Sequence, residues 1–380
     1  MKLLLPLIAL LLLGLNLRPV LALPGPLLAS IQQDTALSSS AAGLLSMLPV
    51  MAMGLCALAG SYLQRWPGTF RGVLLGALII AAACTLRGFW WQPAGLIATA
   101  LLAGIGIALV QALLPGWIKQ HYPQHSSRLM GLYTTAIMGG AALAAASAAP
   151  LAQAISWQNT LALWGLPALL AAVMWYRCGN MAVSEKTLAV APPPPLNRRA
   201  WLLMVYFGIG TGAYTLVLAW LPPFFVQQSW SPQHSGYLLA GLTLTEVVAG
   251  LLVAALIPRF HDRRHLLIPV LGLVLGGLMC LMIAPSALAL LAILLLGLGI
   301  GALFPLSLIV TLDHAVTPQQ AGKLMGFVQG GGYMIASLMP LLAGVIRQVL
   351  GDLQQAFSVM ALGVVVLLVM TLWLKPQAEK

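Results

Sequence analysis

Charge is what this sequence has least of. Only 7% of its 380 residues are Asp, Glu, Lys or Arg, where a soluble domain carries roughly 25%. So little charge cannot coat a water-facing surface of this size, which excludes a soluble globular enzyme and an acidic disordered chain alike. Acids are scarcer still, seven against eighteen Lys and Arg. Four cysteines, Cys56, Cys84, Cys178 and Cys280, with no Cys-x-x-Cys and no Cys/His spacing, exclude a zinc site and a disulfide framework and leave packing as their role. Also missing are a Ser or Cys nucleophile paired with a base, a His-Glu-x-x-His and a Walker loop, so the residues support neither hydrolysis nor ATP-driven pumping. The chain reads as a non-enzyme with no cofactor and no metal.

Long apolar runs fill the space that charge leaves. Hydrophobic residues make up 61% of the chain and mean hydropathy is +0.97. A span needs about 20 apolar residues, and the runs fall at 3–30, 39–61, 72–90, 94–117, 129–151, 159–177, 200–224, 235–257, 266–284, 287–311, 324–346 and 355–374. The expected fold is an all-α membrane protein of twelve spans. Lys2 followed by an apolar run resembles a signal peptide, but Arg18-Pro19 interrupts the run, so we read it as the first span.

If Met1 is cytoplasmic, the alternating spans put Lys2, Arg65, Arg71, Lys119, Arg128, Arg177, Lys186, Arg198, Arg199, Arg259, Arg263, Arg264, Lys323, Lys375 and Lys380 on the cytoplasmic side. Only Arg347 falls opposite, and Arg18 and Arg87 lie within spans. That asymmetry follows the positive-inside rule and places both termini in the cytoplasm of a bacterial inner membrane. It also accounts for the net charge of +11 without nucleic acid, because the charge sits on loops between apolar spans.

The chain repeats. Leu102-Ala103-Gly104-Ile105-Gly106-Ile107 matches Leu295-Leu296-Gly297-Leu298-Gly299-Ile300, Arg128-Leu129-Met130-Gly131 matches Lys323-Leu324-Met325-Gly326, and Gly54 and Pro26 align with Gly250 and Pro222. A polar stretch with Ser184-Glu185-Lys186 and the run from Pro192 to Pro195 separates the copies. The expected organisation is two six-helix halves, 1–177 and 200–380, joined by a cytoplasmic linker at 178–199. Halves of this kind bind substrate between them near the bilayer midplane and work by alternating access.

Few residues carry chemistry. Arg18 lies midway along the first span, where a guanidinium costs at least ~2.5–3.5 kcal/mol on insertion scales. Two readings fit it, and they are not exclusive: a ligand for a small anion, which suits a fork of five donors, or an ion pair with Glu246. Asn16 precedes it, and Pro19 removes a backbone donor and predicts a kink. Glu246 is the one acid well inside a span; a carboxyl there is the candidate proton carrier or a fixed counter-ion to Arg18. Arg87 stands beside Trp90 and Trp91, reading either as a side chain snorkelling to the interface or as an outer cavity cation. Gln111, Tyr214, Trp220, Gln329 and Tyr333 are the further candidates for the cavity wall, against helix packing, and Tyr214 matches Arg18 at the repeat offset.

Arg65 and Arg71 after the second span, and Asp262, Arg263 and Arg264 after the eighth, occupy equivalent cytoplasmic turns, where they either gate the halves or anchor topology. Asp313-His314 reads as a solvated helix end. Gly208-Ile209-Gly210-Thr211-Gly212 lacks the preceding strand of a dinucleotide loop and reads as close helix packing.

Gly14-Leu15-Asn16-Leu17-Arg18-Pro19 followed by Gly25-Pro26-Leu27-Leu28 resembles the first-helix signature of the cyanate permease and 2-nitroimidazole transporter family within the major facilitator superfamily. Pro115-Gly116-Trp117-Ile118-Lys119, Ala219-Trp220-Leu221-Pro222, Asp262-Arg263-Arg264, Leu312-Asp313-His314 and Ala321-Gly322-Lys323-Leu324 extend the resemblance over nearly the whole chain. The match looks closer to the cyanate branch, which implies secondary active transport of a small anion such as cyanate, by a monomer in membrane lipid, with a proton as the candidate coupling ion. Two positions depart from the family pattern. Gln64 replaces the usual acid after the second helix, and Glu246 stands where an uncharged polar residue is expected. If Glu246 neutralises Arg18, the alternative is a proton-coupled exporter of small polar or nitroaromatic drugs. A membrane sensor that binds without transporting is the third reading.

Overall fold

The structure is a computed structural model that describes residues 4–59, 68–179, 197–260, 262–314 and 318–374. Gln64, Arg65, His261, the Lys2 end and most of the linker, including Pro192 to Pro195, lie outside the described residues. Among the described residues twelve helical stretches are long and apolar enough to cross a membrane. The first, α1, runs in three pieces, Leu4–Leu15, Pro19–Ala22 and Pro24–Thr35. It is followed by α2 Ser39–Leu58, α3 Thr69–Phe89, α4 Pro93–His121, α5 Ser126–Ile155 and α6, formed by Trp157–Leu163 and Gly165–Arg177. Then come α7 Arg198–Gln227, α8 Pro232–Leu256, α9 Arg264–Ile283, α10 Ala289–Asp313, α11 Pro318–Leu350 and α12 Gln354–Trp373. Side-chain caps mark several starts: Ser38, Asn197 and Ser231 accept backbone N–H groups at the heads of α2, α7 and α8.

The expected twelve spans are all present, and several helices outrun them. α5 and α11 begin earlier and end later than the apolar runs at 129–151 and 324–346, because hydropathy marks the hydrocarbon slab while the helix continues through polar residues beyond it. The expected interruption at Pro19 is a true break. Pro19 has no N–H for the Leu15 carbonyl, so α1 stops there and restarts with proline in its first turn, where the missing donor costs nothing.

α1 and α7 lie at the centre. Leu17, Val20, Leu21, Ala22 and Leu23 of α1 are buried, as is nearly every residue of α7 from Phe207 to Phe225. A helix apolar all round belongs in an interior. Lipid-facing leucines such as Leu166, Leu251, Leu290 and Leu362 are exposed on the outside, as a surface solvated by hydrocarbon allows.

Glycines set how closely the helices approach, and they do so twice. A Cβ on Gly104 of α4 would strike the backbone of Pro49 in α2, while one on Gly297 of α10 would strike Thr245 of α8. A Cβ on Gly106 would lie 2.7 Å from the Gly76 carbonyl of α3, and one on Gly299 would lie 2.8 Å from the Val274 nitrogen of α9. Both of these contacts in the first six helices recur between the corresponding helices of the last six. Between the two sets, α2 packs on α11, with Gly43 against the Pro340 carbonyl and Gly54 against the Gly330 carbonyl, both 2.7 Å from a Cβ that is not there. α5 packs on α8 through Ala145 and Gly236.

Further tight crossings between the two sets lie at the end remote from Arg177 and Arg198, hereafter the far end. There Gly25 meets Pro222, Gly344 meets the Ser39 carbonyl, and the Ser40 N–H donates to Gln348 Oε1 at 3.1 Å. Toward the linker end, Gly131 and Gly139 of α5 and Gly250 of α8 have nothing within 4 Å of where a Cβ would stand.

Gly301 is the test of this packing, because its missing Cβ would fall on the Glu246 backbone, 2.9 Å from the carbonyl carbon. Gly301→Val is expected to destabilise the detergent-purified protein by about 1–3 kcal/mol in thermal melting. Gly131→Ala, with open space around it, is expected to stay within about 0.5 kcal/mol of the parent.

Candidate functional site

Arg18 occupies the gap in α1. Its carbonyl accepts from the Leu21 and Ala22 N–H groups as the helix restarts, both at 3.0 Å, which fixes the backbone that carries the guanidinium. The side chain is 5% exposed. It lies over the face of the Tyr214 ring of α7, 5.2 Å from the centroid, a cation–π contact strengthened by desolvation. Tyr333 of α11, Tyr133 of α5 and Glu246 of α8 stand within electrostatic range of it. Five helices, two from the first six and three from the last six, converge on one charge.

Arg18 and Tyr214 are equivalents under the repeat. A residue and its repeat mate can touch only near the axis that relates the copies, so their stacking puts Arg18 at the midline between them. Pro26 and Pro222, also mates, lie close to the same line, with Pro222 against Gly25 and Pro26 against Gly236.

The expected Arg18–Glu246 ion pair is not formed. The ion pairs Arg263–Asp313 and Arg264–Asp262 both lie far from the centre. Both Glu246 oxygens, Arg18 Nε and the hydroxyls of Tyr133 and Tyr214 are buried without a hydrogen-bond partner in the protein. Unpaired buried polar atoms are costly, and here they gather in one place, offering donors and acceptors to a small polar molecule. The Glu246 backbone is held rigidly, since Gly301 of α10 presses against it.

Other sequence candidates land elsewhere. The Asn16 amide turns back on its own helix, donating to the Leu12 carbonyl at 2.7 Å. Gln111 and Gln329 are half-buried on α4 and α11. Trp220 lies at the far end, where its Nε1 donates to the Pro340 carbonyl at 2.9 Å and its ring underlies Arg347, 5.6 Å from the centroid. Arg87 does not snorkel. It is 2% exposed and turns inward, with Nη1 3.4 Å from the Val20 carbonyl and Nε 3.3 Å from Thr99 Oγ1. Gly208 packs closely on Ile335 and Gly210 on Leu303, the helix packing expected of that glycine run.

The charged turn after α8 ties elements within the last six helices rather than across the two sets. Arg263 reaches Asp313 at the end of α10 at 2.8 Å and donates to the Ile257 and Phe260 carbonyls. Arg264 grips both oxygens of Asp262, and those hydrogen bonds hold the Asp262 carboxyl below its usual range. Arg71 is exposed at the head of α3. Asp313 is thus the partner of Arg263 as well as a helix end, which local sequence does not reveal.

Sequence reasoning missed Tyr133. Its packing depends on α1 coming close to α5: Gly14 lies against the Tyr133 ring and carbonyl, and Gly140 against the Leu15 carbonyl that Pro19 left free. Those two glycines, one on each helix and each beside the break, were the available signal.

Twelve spans with a packing pattern repeated between two sets of six, closing around one shared cation, define a membrane transporter. The Major Facilitator Superfamily model matches residues 8–317 and 230–380, and the chain belongs to that superfamily. It is 41% identical to the cyanate transport protein of Escherichia coli (strain K12) over 97% of either chain. To the 2-nitroimidazole transporter of the same strain it is 30% identical, covering 90% of this chain and 87% of that one. A crystal structure of a D-xylose-proton symporter shares the fold, with a TM-score of 0.76, 16% identity and 97% of each chain covered. The chain is a multi-pass membrane protein and a secondary transporter of the kind its relatives are.

The Arg263–Asp313 bridge is partly exposed, so a double-mutant cycle with Arg263→Met and Asp313→Asn is expected to give a coupling of about 0.2–1 kcal/mol in detergent melting. A coupling above that range would mean the pair is shielded from solvent more than its exposure implies.

Proposed function

We propose that this chain carries a small anion, cyanate being the named candidate, across the bacterial inner membrane by alternating access, with Arg18 as the anion's ligand. The observation that carries the reading is the midline position of Arg18, stacked on Tyr214 with unpaired donors around it. A guanidinium and phenol hydroxyls from several helices can all donate to one small anion, and those donors come from both sets of six. Rocking one set against the other would then open the same ligands to either side. The rocking bodies are 1–177 and 200–380, joined by 178–199, with both termini cytoplasmic and the monomer as the working unit in lipid. Tyr214 and Tyr333 take part in the anion shell directly. Gln111 and Gln329 belong to the wall above or below it. The turns bearing Arg71 and Asp262 to Arg264 would set which end is open, through the helices they brace. No step requires an enzyme's nucleophile or a cofactor.

Glu246 gives the reading its coupling. A carboxyl that shares the site with Arg18 but makes no ion pair with it can accept a proton as an anion takes the guanidinium, so the loaded site keeps its net charge. A second reading draws on the same residue: ionised, Glu246 would neutralise Arg18 and favour a polar neutral molecule, as in export of nitroaromatic compounds.

Purified protein in liposomes decides between them. Labelled cyanate uptake driven by an inward proton gradient is expected, with Arg18→Ala reducing it at least tenfold and Arg18→Lys retaining part of it. Uptake indifferent to Arg18→Ala overturns the anion ligand. Glu246→Gln is expected to abolish accumulation against a gradient while leaving cyanate counterflow intact; accumulation that survives makes Glu246 a structural group.

A further inference from the structure

Three prolines strip α1 of backbone donors around Arg18. In a helix each N–H serves the carbonyl four residues earlier, so Pro19, Pro24 and Pro26 leave the Leu15, Val20 and Ala22 carbonyls without their helical partners. The Val20 carbonyl finds a replacement in Arg87 Nη1, reaching across from the last turn of α3 at 3.4 Å. Thr99 of α4 holds that guanidinium in place: its Oγ1 accepts from Arg87 Nε at 3.3 Å while its own hydroxyl donates to the Gly95 and Leu96 carbonyls at 2.8 and 3.0 Å. Among the described residues no carboxylate pairs with Arg87. A guanidinium 2% exposed and without a counter-ion is expensive to keep, and the contact it makes is with the peptide two residues beyond Arg18.

We infer that Arg87 is a positioning residue for the anion site, acting through the first helix: it stands in for the backbone donor that Pro24 lacks, and so fixes the direction of the restarted helix that aims Arg18 at the midline. This rests on the reading of Arg18 as the anion ligand and adds to it a residue that need not touch the anion. The reach from α3 to α1 is why a charged side chain is used so deep. Only a long side chain with several donors spans from α3 to α1 while keeping a second hydrogen bond to α4 for orientation.

The inference has a specific genetic consequence. Substituting Pro24 by alanine restores an N–H four residues after Val20, at a junction between helical pieces where Leu23 keeps helical dihedrals. Pro24→Ala is therefore expected to compensate for the loss of Arg87, something it would not do if Arg87 bound the anion itself.

The experiment measures the half-saturating concentration for labelled cyanate counterflow in liposomes containing the parent, Arg87→Met, Arg87→Lys, Pro24→Ala and the Arg87→Met/Pro24→Ala double variant. Loss of one charge-assisted hydrogen bond is expected to raise that concentration about tenfold in Arg87→Met, with Arg87→Lys intermediate. Pro24→Ala alone is expected to match the parent, and the double variant to return to within about threefold of it. An Arg87→Met defect that Pro24→Ala leaves untouched overturns the inference, as does an Arg87→Met variant with parental half-saturation. If Arg87→Met does not fold, Arg87→Lys with and without Pro24→Ala gives the same comparison. Arg18→Ala run alongside separates the two claims: counterflow unaffected by Arg18→Ala sinks the underlying reading, whereas an Arg18-dependent protein with no rescue sinks only the role of Arg87.

Discussion

A permanent positive charge at the midline of a membrane bundle has to be compensated by its surroundings, and most of this structure can be traced to how Arg18 meets that demand. Its pKa lies too high for it to escape by losing a proton, as a lysine can. The protein answers with the face of Tyr214 at 5.2 Å, a hydroxyl from Tyr333 and a carboxyl from Glu246 held within electrostatic range but out of contact. Each comes from the last six helices, so the charge on the first set is satisfied by the second. Whatever loosens the two sets therefore also exposes the charge.

The broken first helix is the device that delivers the charge there. A continuous helix would satisfy its own carbonyls and leave α5 and α3 nothing polar to hold. Pro19 and Pro24 leave two carbonyls without their helical donors: Gly140 packs closely against the one at Leu15, and Arg87 donates to the one at Val20. The local price in backbone hydrogen bonds is recovered as fixed geometry between α1 and the helices around it. The glycine contacts that repeat between α2 and α4 and between α8 and α10 do the same for the rest of the site, since Gly301 sets where Glu246 can stand.

Much of this was legible in the sequence because it depends on patterns that act over one helix. Twelve apolar runs and the proline after Arg18 carried the twelve helices and the break in the first, and Tyr214, which the repeat offset aligns with Arg18, lies under its guanidinium. What sequence could not give depends on which faces meet. Arg87 beside two tryptophans reads as an interface anchor until the helix turn carrying it is seen to face α1. Tyr133 reads as one more packing aromatic until Gly14 and Gly140 bring α5 against the break. An acid and an arginine alone in apolar spans suggest a pair, yet Glu246 and Arg18 share a site without touching. The helices α5 and α11 run past their apolar runs because amphipathic turns continue the helix after hydropathy has fallen.

The central claim is that Arg18 at the midline is what the anion binds. Selenocyanate, a heavier analogue of cyanate, allows this to be seen directly: diffraction from crystals soaked in it, recorded at the selenium edge, locates the anion by anomalous scattering. The account predicts one strong peak beside the Arg18 guanidinium, between Tyr214 and Tyr333. A protein that transports cyanate yet places its strongest peak away from Arg18, against Arg347 at the far end or the charged turn near Arg263, would contradict it.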